Sequence, residues 1–133
     1  MEPKLNFALI CDKAFSEAPG LNGKGKLNIM GIFQFVYSNG KFPMMLPQFS
    51  VVLNFSLGDS DSHRILVLLR DDLGNEIAKI NELEIKQDNS TGDVNYIGNF
   101  AGVVMYRNSK IDVCYQIDGG KIEKSAIIDL KEQ

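Results

Sequence analysis

The sequence has no tryptophan, a single histidine, two cysteines and four prolines, and each scarcity removes a class of answer. One histidine, His63, excludes every zinc site built on a histidine pair, and Cys11 and Cys114 form no Cys-x-x-Cys pair. Without tryptophan, and with the cysteines at opposite ends of the chain, the antibody-type arrangement of two cysteines around a core Trp is also excluded. No apolar run approaches the ~18 residues that cross a bilayer. The start, Met1-Glu2-Pro3-Lys4, has no signal-peptide character, so the expected setting is cytoplasmic, without membrane contact. There the cysteines are expected as reduced, buried thiols.

Charge of one sign is scarce too. Fourteen Lys and Arg against seventeen Asp and Glu leave a net charge of −3, too little positive charge to hold a phosphate backbone, so nucleic acid is not an expected partner. Residues 1–70 carry seven basic and five acidic side chains and residues 71–133 seven and twelve, a mild asymmetry compatible with head-to-tail association.

What is abundant is alternation. In Phe49-Ser50-Val51-Val52-Leu53-Asn54-Phe55-Ser56-Leu57 each odd position is apolar, as a strand with one buried face requires. Ile111 to Ile117 repeats this pattern and ends in Asp118-Gly119-Gly120, a hairpin turn. The returning strand is Lys121 to Leu130, with Lys124 as the one exception to its apolar face. Ile65 to Leu69 is apolar on both faces and reads as an interior strand. Glu76 to Lys86 changes phase between Ile80 and Leu83, which predicts a β-bulge near Asn81. Further strands are expected at Leu5–Cys11, Lys26–Tyr37 and Val94–Met105, while Asp12 to Ala18 forms at most a turn. These eight strands and little helix, in one domain over residues 1–133, predict an all-β chain: an antiparallel β-sandwich of Ig-like or Greek-key type.

No cofactor is implied by the motifs. Gly20-Leu21-Asn22-Gly23-Lys24-Gly25-Lys26 follows a phosphate-binding loop for seven positions, but Leu27 stands where Ser or Thr would hold magnesium, and a strand follows instead of a helix. What survives is a candidate anion-binding loop, Gly23, Lys24, Gly25 and Lys26. Asp59-Ser60-Asp61 begins like a calcium loop, but Arg64 and Arg70 occupy the positions of its glycine and bidentate glutamate. Asp59 and Asp61 stand about ten residues from Asp71 and Asp72, too far along one strand to share a cation. His63 is expected in an exposed loop, and a Cys–His nucleophile built from it with Cys11 or Cys114 is left open by spacing alone. Glu82 and Glu84 fall on one strand face as a possible carboxylate pair. Asn89-Ser90-Thr91 matches a glycosylation acceptor by chance. Phe42-Pro43-Met44-Met45-Leu46-Pro47 gathers Phe42, Met44, Met45 and Leu46 in one connection, a candidate partner-docking patch.

The blocks Leu5-Asn6-Phe7-Ala8-Leu9-Ile10-Cys11-Asp12 and Gly25-Lys26-Leu27-Asn28-Ile29-Met30-Gly31-Ile32-Phe33, with Phe42-Pro43 leading into Gln48-Phe49-Ser50-Val51-Val52-Leu53, resemble a family of small uncharacterised bacterial β-domains. The likeness is strongest over the first 70 residues. It implies a stand-alone intracellular β-sandwich of unknown function and transfers no site. The expectation is a non-catalytic interaction or assembly module that binds a protein partner or itself. The alternative is a module that holds an anion or phosphorylated metabolite on the 20–26 loop.

Overall fold

The computed structural model describes residues 3–16, 26–87 and 92–132, and these are all-β. Eleven strands replace the expected eight: β1 (Lys4–Ser16), β2 (Leu27–Ile32), β3 (Phe35–Ser38), β4 (Met44–Met45), β5 (Phe49–Ser56), β6 (Ser62–Arg70), β7 (Glu76–Lys86), β8 (Val94–Phe100), β9 (Val104–Met105), β10 (Ile111–Ile117) and β11 (Glu123–Glu132). They form a four-stranded sheet, β2-β1-β5-β8, a five-stranded sheet, β3-β11-β10-β6-β7, and a two-stranded ribbon, β4-β9. No helix among these residues is long and apolar enough to cross a membrane.

The alternation of β5 does what its pattern requires. Phe49, Val51, Leu53 and Phe55 are buried in one core with Ile65, Val67 and Leu69 of β6 and Ile111 and Val113 of β10, so the core is built from both large sheets. Aromatic contacts tie them: Phe55 meets Tyr115 edge-on at 5.2 Å, and Phe49 stacks on Phe100 at 5.3 Å. The even positions of β5 are polar in part yet buried as well, because they carry a ladder of side-chain hydrogen bonds. Ser50 Oγ donates to Asn99 Oδ1 at 2.6 Å, and Asn54 Nδ2 donates to Asn95 Oδ1 at 2.7 Å. Asn6 Nδ2 reaches Asn54 Oδ1 from β1 at 2.9 Å. A second, smaller apolar cluster of Cys11, Ala14 and Val52 accompanies this ladder.

The bulge expected near Asn81 is present, and the exceptional Lys124 has its cause in a second one. Ile65 pairs with Leu83 but Val67 with Ile80, so Asn81 and Glu82 together oppose Leu66. Val113 pairs with Ala126 but Cys114 with Lys124, so Ser125 is the extra residue and Lys124 leaves the apolar face. The Ser125 hydroxyl then donates to Val113 O at 2.9 Å.

Three expectations are corrected. Asp12 to Ser16 is not a turn but the upper half of β1, drawn into extended form by pairing with β2. Lys26–Tyr37 is not one strand. Gly31, at φ +70°, stands one residue before the end of β2 at Ile32. Phe33 N–H then donates to Ile10 O at 2.9 Å while Gln34 O accepts from Asp129 N–H at 3.0 Å, so the chain changes sheets between two residues. Val94–Met105 breaks likewise at Gly102, at φ +70°. The resulting β3 pairs parallel with β11, the only parallel pair among the described strands of an otherwise antiparallel fold.

Tyr96 sets one stability test. Its ring lies over Gly98, where a Cβ would stand 2.8 Å from Tyr96 Cε1 and 2.6 Å from Ile80 Cδ1. The hydroxyl is buried without a hydrogen-bond partner among the described residues, and burial pushes its pKa up to about 12. A buried, unmatched hydroxyl costs free energy. Tyr96→Phe is therefore expected to be neutral or to stabilise by up to about 1 kcal/mol in urea unfolding; a loss of that size would reveal a partner for the phenol.

Candidate functional site

The Phe42 to Leu46 segment packs on the core, and pairing decides which of its side chains face out. Met44 pairs with Met105 and Met45 with Val104, and Leu46 N–H donates to Val103 O at 2.8 Å. Leu46 is buried in the core, and Phe42 and Met44 pack against it. Three of the four expected docking residues therefore hold the segment down. Only Met45 points away, 66% exposed. Val104 lies opposite it, and Tyr106, two residues on, is 77% exposed. Alternation puts Met45, Val104 and Tyr106 on the outer face of the β4-β9 ribbon. Nothing along the chain pairs β4 with β9 in advance, because each is two residues long and carries no alternating signal.

His63 is not in a loop. It sits near the start of β6, 9% exposed, with both ring nitrogens engaged. Nδ1 lies 2.6 Å from Asp118 Oδ2 and Nε2 lies 2.8 Å from Asp59 Oδ1. Bonds to Asp59 and to Asp118 raise the imidazole pKa, because both carboxylates favour the charged ring. Asp118 stands in the β10-β11 turn at φ 53°, and its other oxygen accepts the Arg64 N–H at 2.9 Å. That backbone bond and the one to His63 hold its carboxyl below the ordinary value. The cluster clips the 59–61 loop and the β10-β11 turn to β6. It leaves the imidazole no free nitrogen for acid–base work on a substrate.

The other chemical readings disperse. Cys114 opposes Leu68, five residues from His63 along β6 or about 16 Å at strand spacing, and Cys11 belongs to the other sheet. No Cys–His pair is assembled. Both thiols are buried and unpaired, and burial pushes both thiol pKa values up, away from the reactive thiolate. Asp71 and Asp72 face Arg107 at the far end of β6 from Asp59. Asp71 Oδ1 also accepts the N–H groups of Leu73 and Asn75, which makes it the organiser of the β6-β7 turn. Glu82 pairs with Arg64, and Glu84 accepts the Ser62 hydroxyl at 2.8 Å, so the two carboxylates answer β6 and not a shared substrate. Among the described residues no group of three His, Cys, Asp or Glu gathers as a metal ligand set. Gly23, Lys24 and Gly25 of the anion loop, and Asn89 to Thr91, lie outside the described residues; Lys26 is exposed at the start of β2.

A cavity of about 520 Å³ opens under the crossover at Phe33 and Gln34. Below that point β1 and β11 each have a strand partner on one side only, and the cavity runs between Ala8 to Ile10 and Lys124 to Ile127. Two lysines stand at it, but Lys124 Nζ is 3.4 Å from Asp112 and Lys110 Nζ 4.0 Å from Asp129, which offsets their charge.

A protein-family model matches residues 6–128, from the ladder asparagine Asn6 of β1 through the core residue Ile128 of β11. The chain belongs to DUF6941, a family of unknown function. The DUF6941 match takes in the Met45 ribbon, the His63 cluster and the crossover together, so it extends well beyond the first 70 residues that carried the sequence resemblance. No curated protein matches the chain.

Proposed function

We propose that this chain is a non-catalytic interaction or assembly module, a cytoplasmic β-sandwich of Greek-key or Ig-like type that contacts a protein partner through the outer face of the β4-β9 ribbon. The supporting observation is the pair Met45 and Tyr106, 66% and 77% exposed, on a ribbon whose opposite face is pinned by Met105, Met44 and Leu46. Met and Tyr are residue types enriched in the centre of protein interfaces, and a ribbon anchored from below presents them with little ordering cost. The alternative, an anion-holding module on residues 20–26, rests on Lys26 alone among the described residues.

The test must spare the anchors. Met44→Asp would bury a charge and report on folding, whereas Met45→Asp with Tyr106→Ser changes only outward side chains. The double variant is expected to melt within about 3 °C of the parent. It should also lose the partner that the parent recovers from a lysate, or its self-association in sedimentation. Unchanged recovery together with unchanged mass would overturn the reading.

A further inference from the structure

His63 joins two connections beside the start of β6, and the two are held unequally. Asp118, in the β10-β11 turn, is fixed by the main chain of β6 as well as by the ring: its N–H donates to Arg64 O at 2.8 Å and its Oδ1 accepts the Arg64 N–H at 2.9 Å. The β5-β6 connection has no such support. Leu57 is buried and its N–H donates to Gln87 Oε1 at 2.8 Å, but Gly58 then takes a φ of +83° and residues 58–61 join no strand. The Asp61 N–H bond to Asp59 Oδ1, at 3.0 Å, stays inside the loop. Among the described residues, the hydrogen bond that ties residues 58–61 to β6 is the contact of Asp59 with His63 Nε2.

The ring can hold both sides in only one of its states. A carboxylate accepts and does not donate, so two carboxylates on one imidazole need two N–H donors, which only the charged ring has. The neutral ring keeps one N–H and turns a lone pair toward the other carboxylate, which repels it. One contact must then fail. Asp118 cannot withdraw without losing its bonds to the Arg64 main chain, whereas Asp59 follows Gly58, whose backbone is the freest of any residue type.

We propose that His63 is a latch released by the loss of one proton: the charged ring holds both carboxylates, and the neutral ring keeps Asp118 through Nδ1–H and lets Asp59 go, which frees residues 58–61 while the β10-β11 turn stays closed. The event is local, and goes beyond both the interaction reading and any change in global stability. On β7 the ring's opposite residue is the apolar Ile85, and alternation puts Glu84 and Lys86, opposite Arg64 and Ser62, on the other face of the strand, where Arg64 pairs with Glu82 and Ser62 with Glu84. Asp61 belongs to the loop itself, Lys121 and Glu123 line a cavity with Asp118, and the amino terminus acts on Asp59 more weakly than His63 does. Asp59 first and then Asp118 raise the imidazole pKa above 6.5, so the latch is closed below 6.5 and opens as pH rises through the raised value. On the acid side the Asp59 carboxyl, lowered by His63, keeps it closed at pH 3.8.

With a single histidine in the chain, the imidazole nitrogen signals in an NMR spectrum of the full protein belong to His63 alone. Both nitrogens are expected to carry protons at pH 6. By pH 9 the ring should be the Nδ1–H tautomer, and the carbon shifts of residues 58–61, read by carbon detection because fast amide exchange does not erase them, should move to random-coil values with the same midpoint. Those of Gly119 and Gly120 should stay turn-like. Asp59→Asn should keep the loop closed at both pH values, since a carboxamide accepts from the charged ring and donates to the neutral one, and Asp59→Ala should free it at both. A neutral ring protonated on Nε2 overturns the proposal, as does a loop whose shifts ignore the titration of the ring. A ring still charged at pH 9 makes the cluster a fixed clip and overturns it too, and an Asp59→Asn loop that opens as the parent does assigns the opening to another group.

Discussion

Phe55→Ala is expected to cost about 3–5 kcal/mol in urea unfolding, the largest effect of any single change considered for this chain. Phe55 is fully buried, lies in the interior strand of the four-stranded sheet and meets Tyr115 of the five-stranded sheet at 5.2 Å. Truncation removes its transfer free energy and leaves a cavity between two layers of paired backbone that cannot collapse to fill it. For a domain whose whole stability is of the order of 5–15 kcal/mol, that is a large share. Phe7 is the internal control. It is a phenylalanine on the neighbouring strand, opposite Asn54 and 40% exposed, and Phe7→Ala should cost no more than about 1 kcal/mol. Equal losses at the two positions would mean that Phe7 packs more tightly than its exposure indicates.

The second large effect is a pH dependence carried by His63. The imidazole pKa is raised above its ordinary 6.5 in the folded chain, first by Asp59 and then by Asp118. Its contribution to stability is therefore complete below 6.5 and is lost as pH rises through the raised value. The carboxyls of Asp59 and Asp118 are lowered from 3.8, so theirs is complete above that value and is lost as pH falls through the lowered ones. Between 3.8 and 6.5 all three charges are present together. The melting temperature is expected to fall from pH 6 to pH 9. His63→Gln should lower it by several degrees at pH 6, because it leaves two carboxylates facing each other's field without the cation, and should flatten the slope between pH 6 and pH 9. Both carboxylates are partly open to water, which moderates the effect at high salt. A slope that survives His63→Gln would assign the dependence to another group.

His63 also shows where reading along the chain stops. A lone histidine after an Asp-Ser-Asp-Ser run has every local mark of a surface loop, and its four-residue spacing from Asp59 is visible in the sequence. Its second partner, Asp118, is 55 positions away and arrives only because the β10-β11 turn folds beside the start of β6. The Met-rich segment behaves the same way. Its apolar content was legible, but whether Met44 or Met45 faces the core depends on pairing with Met105 and Val104, about sixty residues further on. Val104 and Tyr106 gave no signal of their own.

The local alternations were strong enough to fix several elements by themselves. β7 and β10 begin and end where their patterns do, the phase change of β7 marks its bulge, and the exceptional Lys124 marks the bulge at Ser125. A period of two is a property of one strand and its buried face, so it survives without knowledge of any neighbour. Asp118 and Gly119, both at positive φ, likewise make a turn whose chemistry is contained in the turn.

By itself, then, the sequence determined an all-β chain, the course of several regular strands, the bulge near Asn81 and the burial of its thiols, because alternation and turn chemistry act over a few residues. Only the tertiary structure decided that Asp12 to Ser16 extends β1, that the chain changes sheets at Phe33 and Gln34, that β3 runs parallel to β11, and that His63 is held between two carboxylates. Each of these depends on a hydrogen-bond or charge partner supplied by a distant segment, and the free energy of that pairing outweighs the weak local preference that a sequence window reports.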